Sequence, residues 1–466
     1  MKHMWQSAGA ILVALCVCMP AERAIAQAAP GAQNAAIERE FQAAVAAQDA
    51  GDLDKAESIL TSLHTQHPGI FAVDESLGLV YVARAEYAKA LPVLEAAVRE
   101  APESDAAYAN LGAAYYQMHR NEEALKAFGR AAQLDPRNAA TQQALGRLWL
   151  EKHEPARAAE AFGAALALKP GDSDLMMAHA QALMDAGQLE KATEQLGQVP
   201  DQEHSAAAQS LFGDVEEKAG QVQAAAEHYA RAVELEPNEA NVWALGAEFL
   251  RHWTFEPAIR EFEAATVKFP ESARMKMGLG IAEFGNGDFP RATQIFSGLL
   301  AADSSNAMYA EMLGLACTTA SEGGQPQCSA LIPFAQAHFG NAKVALYAAK
   351  WILKEAHTPE RAATARRLLE NAVAADPKLA EAQYHLGLMD QEDGQWARSI
   401  APLEAAVQAD AQFAEAHYGL GRAYWNAGRK SEAEEQMELY RTLRARKLEE
   451  RDQKLSQITT LIVGMR

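Results

Sequence analysis

Cysteine is nearly absent: 466 residues contain four, Cys16, Cys18, Cys317 and Cys328. That excludes a disulfide-dense small fold. No second Cys pair and no nearby His pair completes a metal site, His338 being the only near histidine, so no metal is expected. Positive charge is also short. Lys and Arg number 42 against 62 Asp and Glu, a formal charge of −20, and such a surface repels phosphate backbones, so nucleic acid is not an expected partner. No long run alternates β-branched and polar residues, so almost no strand is expected. Catalytic signatures are missing as well: the sequence holds no H-E-x-x-H, no G-x-S-x-G and no G-x-x-x-x-G-K-[ST]. Gly278-Leu279-Gly280 and Gly419-Leu420-Gly421 look like pieces of a phosphate loop, but no strand precedes them. Neither an enzyme nor a cofactor is expected.

Long apolar runs are limited to one, Ala8 to Met19, after Lys2 and His3 and before Pro20. With Ala24-Ile25-Ala26 as a cleavage site, residues 1–26 read as a signal peptide, the run being too short for a permanent span. Cys16 and Cys18 follow Leu15 and Val17 rather than small residues, which argues against a lipoprotein signal. The expected location is the periplasm or envelope, or outside the cell. Residues 27–36, rich in Ala, Pro and Gln, read as a flexible linker. Without Lys2, Glu22 and Arg23 the exported chain would carry −21.

What is present is repetition. In Asp105 to Pro136, Tyr108, Leu111, Gly112 and Tyr115 fall on one helical face, and Ala124, Phe128, Ala131 and Ala132 on a second. Ala56, Ala90, Ala124, Ala158 and Ala192 recur every 34 residues, as do Pro68, Pro102, Pro136 and Pro170. Gly78, Gly112 and Gly146 keep the same step, and Gly387 and Gly421 resume it. Mid-helix glycine costs about 1 kcal/mol against Ala, so its recurrence implies close approach of two helices. Tyr108-x₂-Leu111-Gly112-x₂-Tyr115, Ala124-x₃-Phe128 and Pro136 resemble the tetratricopeptide (TPR) pattern, with Tyr for Trp at the first place. The resemblance covers roughly residues 37–440 and points to an exported bacterial type. It implies an all-α, right-handed superhelical solenoid of about twelve helix–turn–helix repeats, a scaffold used for many binding tasks.

Residues 37–306 read as about eight regular repeats. The unit at 173–205 departs from the pattern: His179 and Ala180 replace Leu-Gly, and Pro200 ends it early. Residues 307–378 read as irregular and expanded, with a long loop at Ser321 to Pro326 and no Leu-Gly pair around Trp351. Residues 379–440 hold two regular repeats. Residues 441–466 continue the last helix, either as a cap over the array or as a docking helix, with Ile458, Leu461, Ile462 and Val463 at its end. Cys317 and Cys328 flank the expanded loop. They are either a disulfide, worth about 2–3 kcal/mol in the chain-entropy model, or two buried thiols.

The resemblance also implies that places 2, 5, 9, 12 and 13 of each first helix face a concave groove. They hold Tyr116, Gln117, Gln143, Arg147, Met177, Met184, Trp243, Arg251, Met277, Phe284, Tyr384, Tyr418, Arg422 and Trp425. Aromatics, Met and Arg are residue types that anchor interfaces, and the same spacing serves packing against the next helix. Asn110 occupies a place used by chaperone-tail clamps, but Glu75, Leu79, Ala140 and Ala144 do not complete one. The expected function is therefore a protein- or peptide-binding scaffold. Two alternatives are an assembly factor of an envelope export, pilus or polysaccharide machine, and a glycan or small-ligand binder.

Overall fold

The computed structural model describes residues 31–319, 325–355 and 358–446, with side chains from residue 34. The expected signal peptide, most of the expanded loop and residues 447–466 lie outside the described residues. Among the described residues there are 24 α-helices and no strand, in two compact units that divide between Glu236 and Pro237.

The N-terminal unit contains α1 (Gly31–Asp49), α2 (Leu53–Gln66), α3 (Phe71–Ala83), α4 (Tyr87–Glu100), α5 (Asp105–Gln117) and α6 (Asn121–Leu134). It continues with α7 (Ala139–Glu151), α8 (Pro155–Leu168), α9 (Ser173–Asp185), α10 (Leu189–Gly197), α11 (Ala206–Lys218) and α12 (Val222–Leu235). Odd-numbered helices are the first helices of six hairpins. The start of α1 corrects one expectation: residues 31–36 are helical rather than a flexible linker. The alanines there are strong helix formers, and they run directly into Ile37, Phe41 and Ala44, which are buried in the core.

Each hairpin is closed by a residue in the left-handed region. Gly51, Gly187 and Gly220 hold it, but so do Ala85 (φ 57°), His119 (φ 56°) and His153 (φ 57°). From α5 on, each first helix is capped from the inter-repeat turn, where Ser104, Asn138, Asp172 and Ser205 accept from the amide three residues on; α3, preceded by Ile70, has no side-chain cap. The core of the unit is a ladder of second-helix residues, Leu60, Leu94, Phe128, Phe162, Leu196 and Tyr229, all nearly fully buried. The repeated glycines explain how the large rungs fit. A Cβ on Gly112 would lie 2.9 Å from the Phe128 ring, and one on Gly146 would lie 2.7 Å from Phe162.

The C-terminal unit repeats this logic in α13 (Glu239–Arg251), α14 (Phe255–Lys268), α15 (Ala273–Asn286), α16 (Phe289–Ala302) and α17 (Ala307–Thr319). After the expanded loop come a 3₁₀ segment (Pro326–Ala330) and the seven-residue α18 (Leu331–Ala337). Regular pairing returns with α19 (Ala342–Glu355), α20 (Pro359–Ala375), α21 (Ala380–Glu392), α22 (Trp396–Ala409) and α23 (Ala414–Asn426). Residues 430–446 form α24. Asn238 caps α13, and Asn306 accepts from the Met308 amide at 3.1 Å. Ser305 instead folds onto Asp303, its Oγ donating at 2.8 Å. Cys317 and Cys328, both buried, are joined in a disulfide that ties α17 to the 3₁₀ segment, with Cα atoms 6.0 Å apart. Gly314 faces Tyr347 of α19 rather than a residue of α18, so α19 supplies the rung that the shortened second helix does not.

Candidate partner-binding faces

In the N-terminal unit, the candidate Tyr116 of α5 meets Glu151 of α7 and Asn121 at the start of α6. The Tyr116 hydroxyl donates to Glu151 Oε1 at 2.7 Å, and Asn121 Nδ2 donates to Glu151 Oε2 at 2.7 Å. Burial, and then the bond to Glu151, push the Tyr116 hydroxyl up to about 12, with the nearby Arg147 charge acting the other way. Arg147 is half-buried beside this pair, and Met177 is half-buried on α9. Asn110 donates to Glu75 Oε1 at 3.2 Å, so its amide is committed within the chain. Burial pushes the Glu75 carboxyl up to about 7 despite that bond.

Two candidates do not line a face. Met184 and Met277 are 5% and 7% exposed and belong to the cores of their units. The unbranched thioether chain fills space between packed helices, so the spacing that would point it outward serves stacking instead. Three more candidates are partly committed. Trp243 tilts against Phe262 at 5.7 Å and carries the Arg274 guanidinium at 4.5 Å. Phe284 meets Phe289 edge-on at 5.4 Å. Arg251 pairs with Glu248, which is buried in the same helix.

The candidates at the end of the C-terminal unit are different. Tyr384 packs on Phe413 at 4.9 Å, but Tyr418 is 43% and Trp425 55% exposed. Arg422, between them on α23, has its guanidinium 5.4 Å from the Trp396 ring and 5.9 Å from the Tyr418 ring. It forms no ion pair among the described residues. Lys430 Nζ lies 5.6 Å from the Trp425 ring, and Tyr418 tilts on Tyr440 at 5.1 Å. A cleft of about 310 Å³ opens between α23 and α24, lined by Arg422, Trp425, Met437 and Arg441 among others. Gly421 faces the Met437 side chain, which would lie 3.2 Å from a Cβ at that position.

Sequence spacing missed part of this surface. Met308, 62% exposed on α17, holds place 2, so the place rule itself would have named it. Trp396, Met437 and Tyr440 lie on second helices, which that rule does not address. Among the described residues, no group of three His, Cys, Asp or Glu side chains is placed to hold a metal ion.

Three tetratricopeptide-repeat models match the chain, at residues 41–105 and 244–307, 106–138, and 150–213 and 391–444, together more than half of it. No curated protein matches. Among solved structures the chain is similar to that titled Naa15/Naa10 bound to HypK-THB, at 17% identity and TM-score 0.41, covering 87% of this chain and 63% of that one. It is also similar to YrrB, titled a TPR protein with an unusual peptide-binding site, at 20% identity and TM-score 0.38, covering 41% of this chain and 97% of that one. MamA from Desulfovibrio magneticus RS-1 is 31% identical over 29% of this chain and 77% of that one, with TM-score 0.28. At these TM-scores the likenesses say nothing about what this chain binds.

Proposed function

Because the chain belongs to the tetratricopeptide-repeat family, we propose that it is a non-catalytic scaffold that holds a protein partner on the first-helix face at the end of its C-terminal unit. The observation that supports this most is the set of Tyr418, Arg422 and Trp425. Two large aromatics stand exposed on one helix, flanking an arginine that makes ring contacts but no ion pair among the described residues. Exposed aromatic and arginine side chains beside a cleft are the usual anchors of an interface. Helices packed on both sides leave this face little freedom to lose on binding.

The proposal includes export. It rests on the apolar run from Ala8 to Met19, on Ala24-Ile25-Ala26, and on a disulfide between Cys317 and Cys328, which suits an oxidising compartment. A partner in an envelope complex fits the same reading.

The test is a cross-linked pull-down from the native cells with the tagged full chain and with a Tyr418→Ala, Arg422→Ala, Trp425→Ala variant. A partner captured by the first and lost by the second, with helicity unchanged by circular dichroism, supports the proposal. A partner retained by the variant contradicts it.

A further inference from the structure

The repeat that breaks the pattern is also where the N-terminal unit is open. Every other second helix in that unit has fourteen residues, but α10 has nine and ends at Gly197. Across from it, α8 presents Ala156, Ala159 and Gly163. Together they leave a cleft of about 560 Å³, with α9 as its floor. The floor residue is His179, which stands where the pattern has leucine. It lies two residues from Met177 and from Gln181, about 200° round the helix, so the cleft opens away from the first-helix face.

The chemistry of the inner wall is specific. His179 Nδ1 is 3.0 Å from Gln195 Oε1. An amide oxygen only accepts, so Nδ1 carries the proton and Nε2 is left as an acceptor. That Nε2 lies 3.3 Å from where a Gly163 Cβ would be, so the absence of a side chain there gives it room. Burial holds the His179 pKa below its ordinary value, which keeps the ring neutral. Gln195 lines the cleft and is 8% exposed, and its Nε2 has no hydrogen-bond partner. Gln195 Nε2 is closed off from solvent behind the ring, so the wall presents one acceptor, His179 Nε2, to a donor N–H. The rim is acidic. Lys191 is bound to Gln188 Oε1 at 2.9 Å, whereas Glu160 and Glu194 have no partner among the described residues.

We propose that this cleft between α8 and α10 is a second binding site, taking a basic peptide segment. A backbone N–H of the peptide would donate to His179 Nε2, and a neighbouring lysine or arginine side chain would sit between Glu160 and Glu194. A cationic ligand also suits a chain of formal charge −20. The site is independent of the face around Trp425.

The test follows the ring resonances of His179 in the full chain carrying ¹³C-labelled histidine, assigned by their loss in His179→Leu. The probe is Nα-acetyl-lysine N-methylamide. Its controls are Nα-acetyl-norleucine N-methylamide, which lacks the charge, and butylamine, which lacks the peptide units. The expected result is a saturable shift with the lysine probe, with both controls about tenfold weaker or more, since each loses one class of hydrogen bond. Glu160→Gln with Glu194→Gln should weaken the lysine probe to the level of the norleucine control. Gly163→Leu, which fills the cleft, should abolish the response. No shift at 10 mM probe, an equal response to either control, or a response that survives Gly163→Leu overturns the proposal.

Discussion

Phe262 is held between two glycines that belong to two different first helices. A Cβ on Gly246 of α13 would lie 2.4 Å from its ring, and a Cβ on Gly278 of α15 would lie 2.5 Å from it. The ring is 0% exposed and has nowhere to retreat. Gly278→Ala therefore sets two effects against each other. Helix propensity favours Ala by about 1 kcal/mol, and overpacking a filled core costs about 1–3 kcal/mol. With the ring clamped from the far side, overpacking should fall in the upper part of that range, about 2–3 kcal/mol, and win for a net loss of about 1–2 kcal/mol. Phe262→Ala alone should cost about 3–5 kcal/mol. In that background the obstruction is gone, and Gly278→Ala should stabilise by up to about 1 kcal/mol. The sign reversal corresponds to a coupling of about 2–3 kcal/mol, within the range seen for residues in contact. Repeat arrays need not unfold in one step, so the assay is hydrogen exchange by mass spectrometry on peptides from α13 to α15, read as local opening free energies. Additive effects of the two substitutions, with Gly278→Ala stabilising in both backgrounds, would refute the clamp.

Three further outcomes are expected. Glu75 has a folded-state pKa of about 7 against an ordinary 4.5, so the folded state binds the extra proton and stability falls as pH rises through that window. Glu75→Gln should be about 3 kcal/mol more stable than the parent at pH 8 and nearly equal to it at pH 4, by urea titration of the N-terminal unit's exchange protection. Ala85, exposed and left-handed at φ 57°, pays a steric penalty that glycine does not, so Ala85→Gly should raise the midpoint of α3–α4 unfolding by the equivalent of about 0.5–1 kcal/mol. Reducing the Cys317–Cys328 disulfide, or replacing both residues by Ala, should cost about 2–3 kcal/mol. Faster exchange should be confined to α17, α18 and the 3₁₀ segment between them.

The repeat and its phase were readable because the close approach of helices imposes glycine and a large partner at fixed spacing. Gly112 with Phe128 and Gly146 with Phe162 leave that mark one 34-residue step apart. Exposure was less legible. Met177 and Met277 occupy the same place in their repeats, yet one is half-buried and the other sits in the core. That difference depends on which side chains the adjoining helices present, which the repeat pattern does not encode. The disturbance at His179 was visible as a departure from Leu-Gly, but the cleft depends jointly on the length of α10 and on Gly163 of a different repeat. The cleft beside Trp425 is lined from the last helix by Met437 and Arg441, and Met437 reads in sequence as an ordinary apolar position.

The claim that matters most is that a partner sits against α23. The direct measurement places a photo-cross-linking amino acid at Asn426, next to Trp425, and separately at the exposed Gln408 on α22. The full chain is irradiated in its native cells. The account predicts a discrete protein adduct from position 426, lost when Tyr418→Ala and Arg422→Ala are added, and none from position 408. No adduct from 426, or the same adduct from both positions, would contradict it.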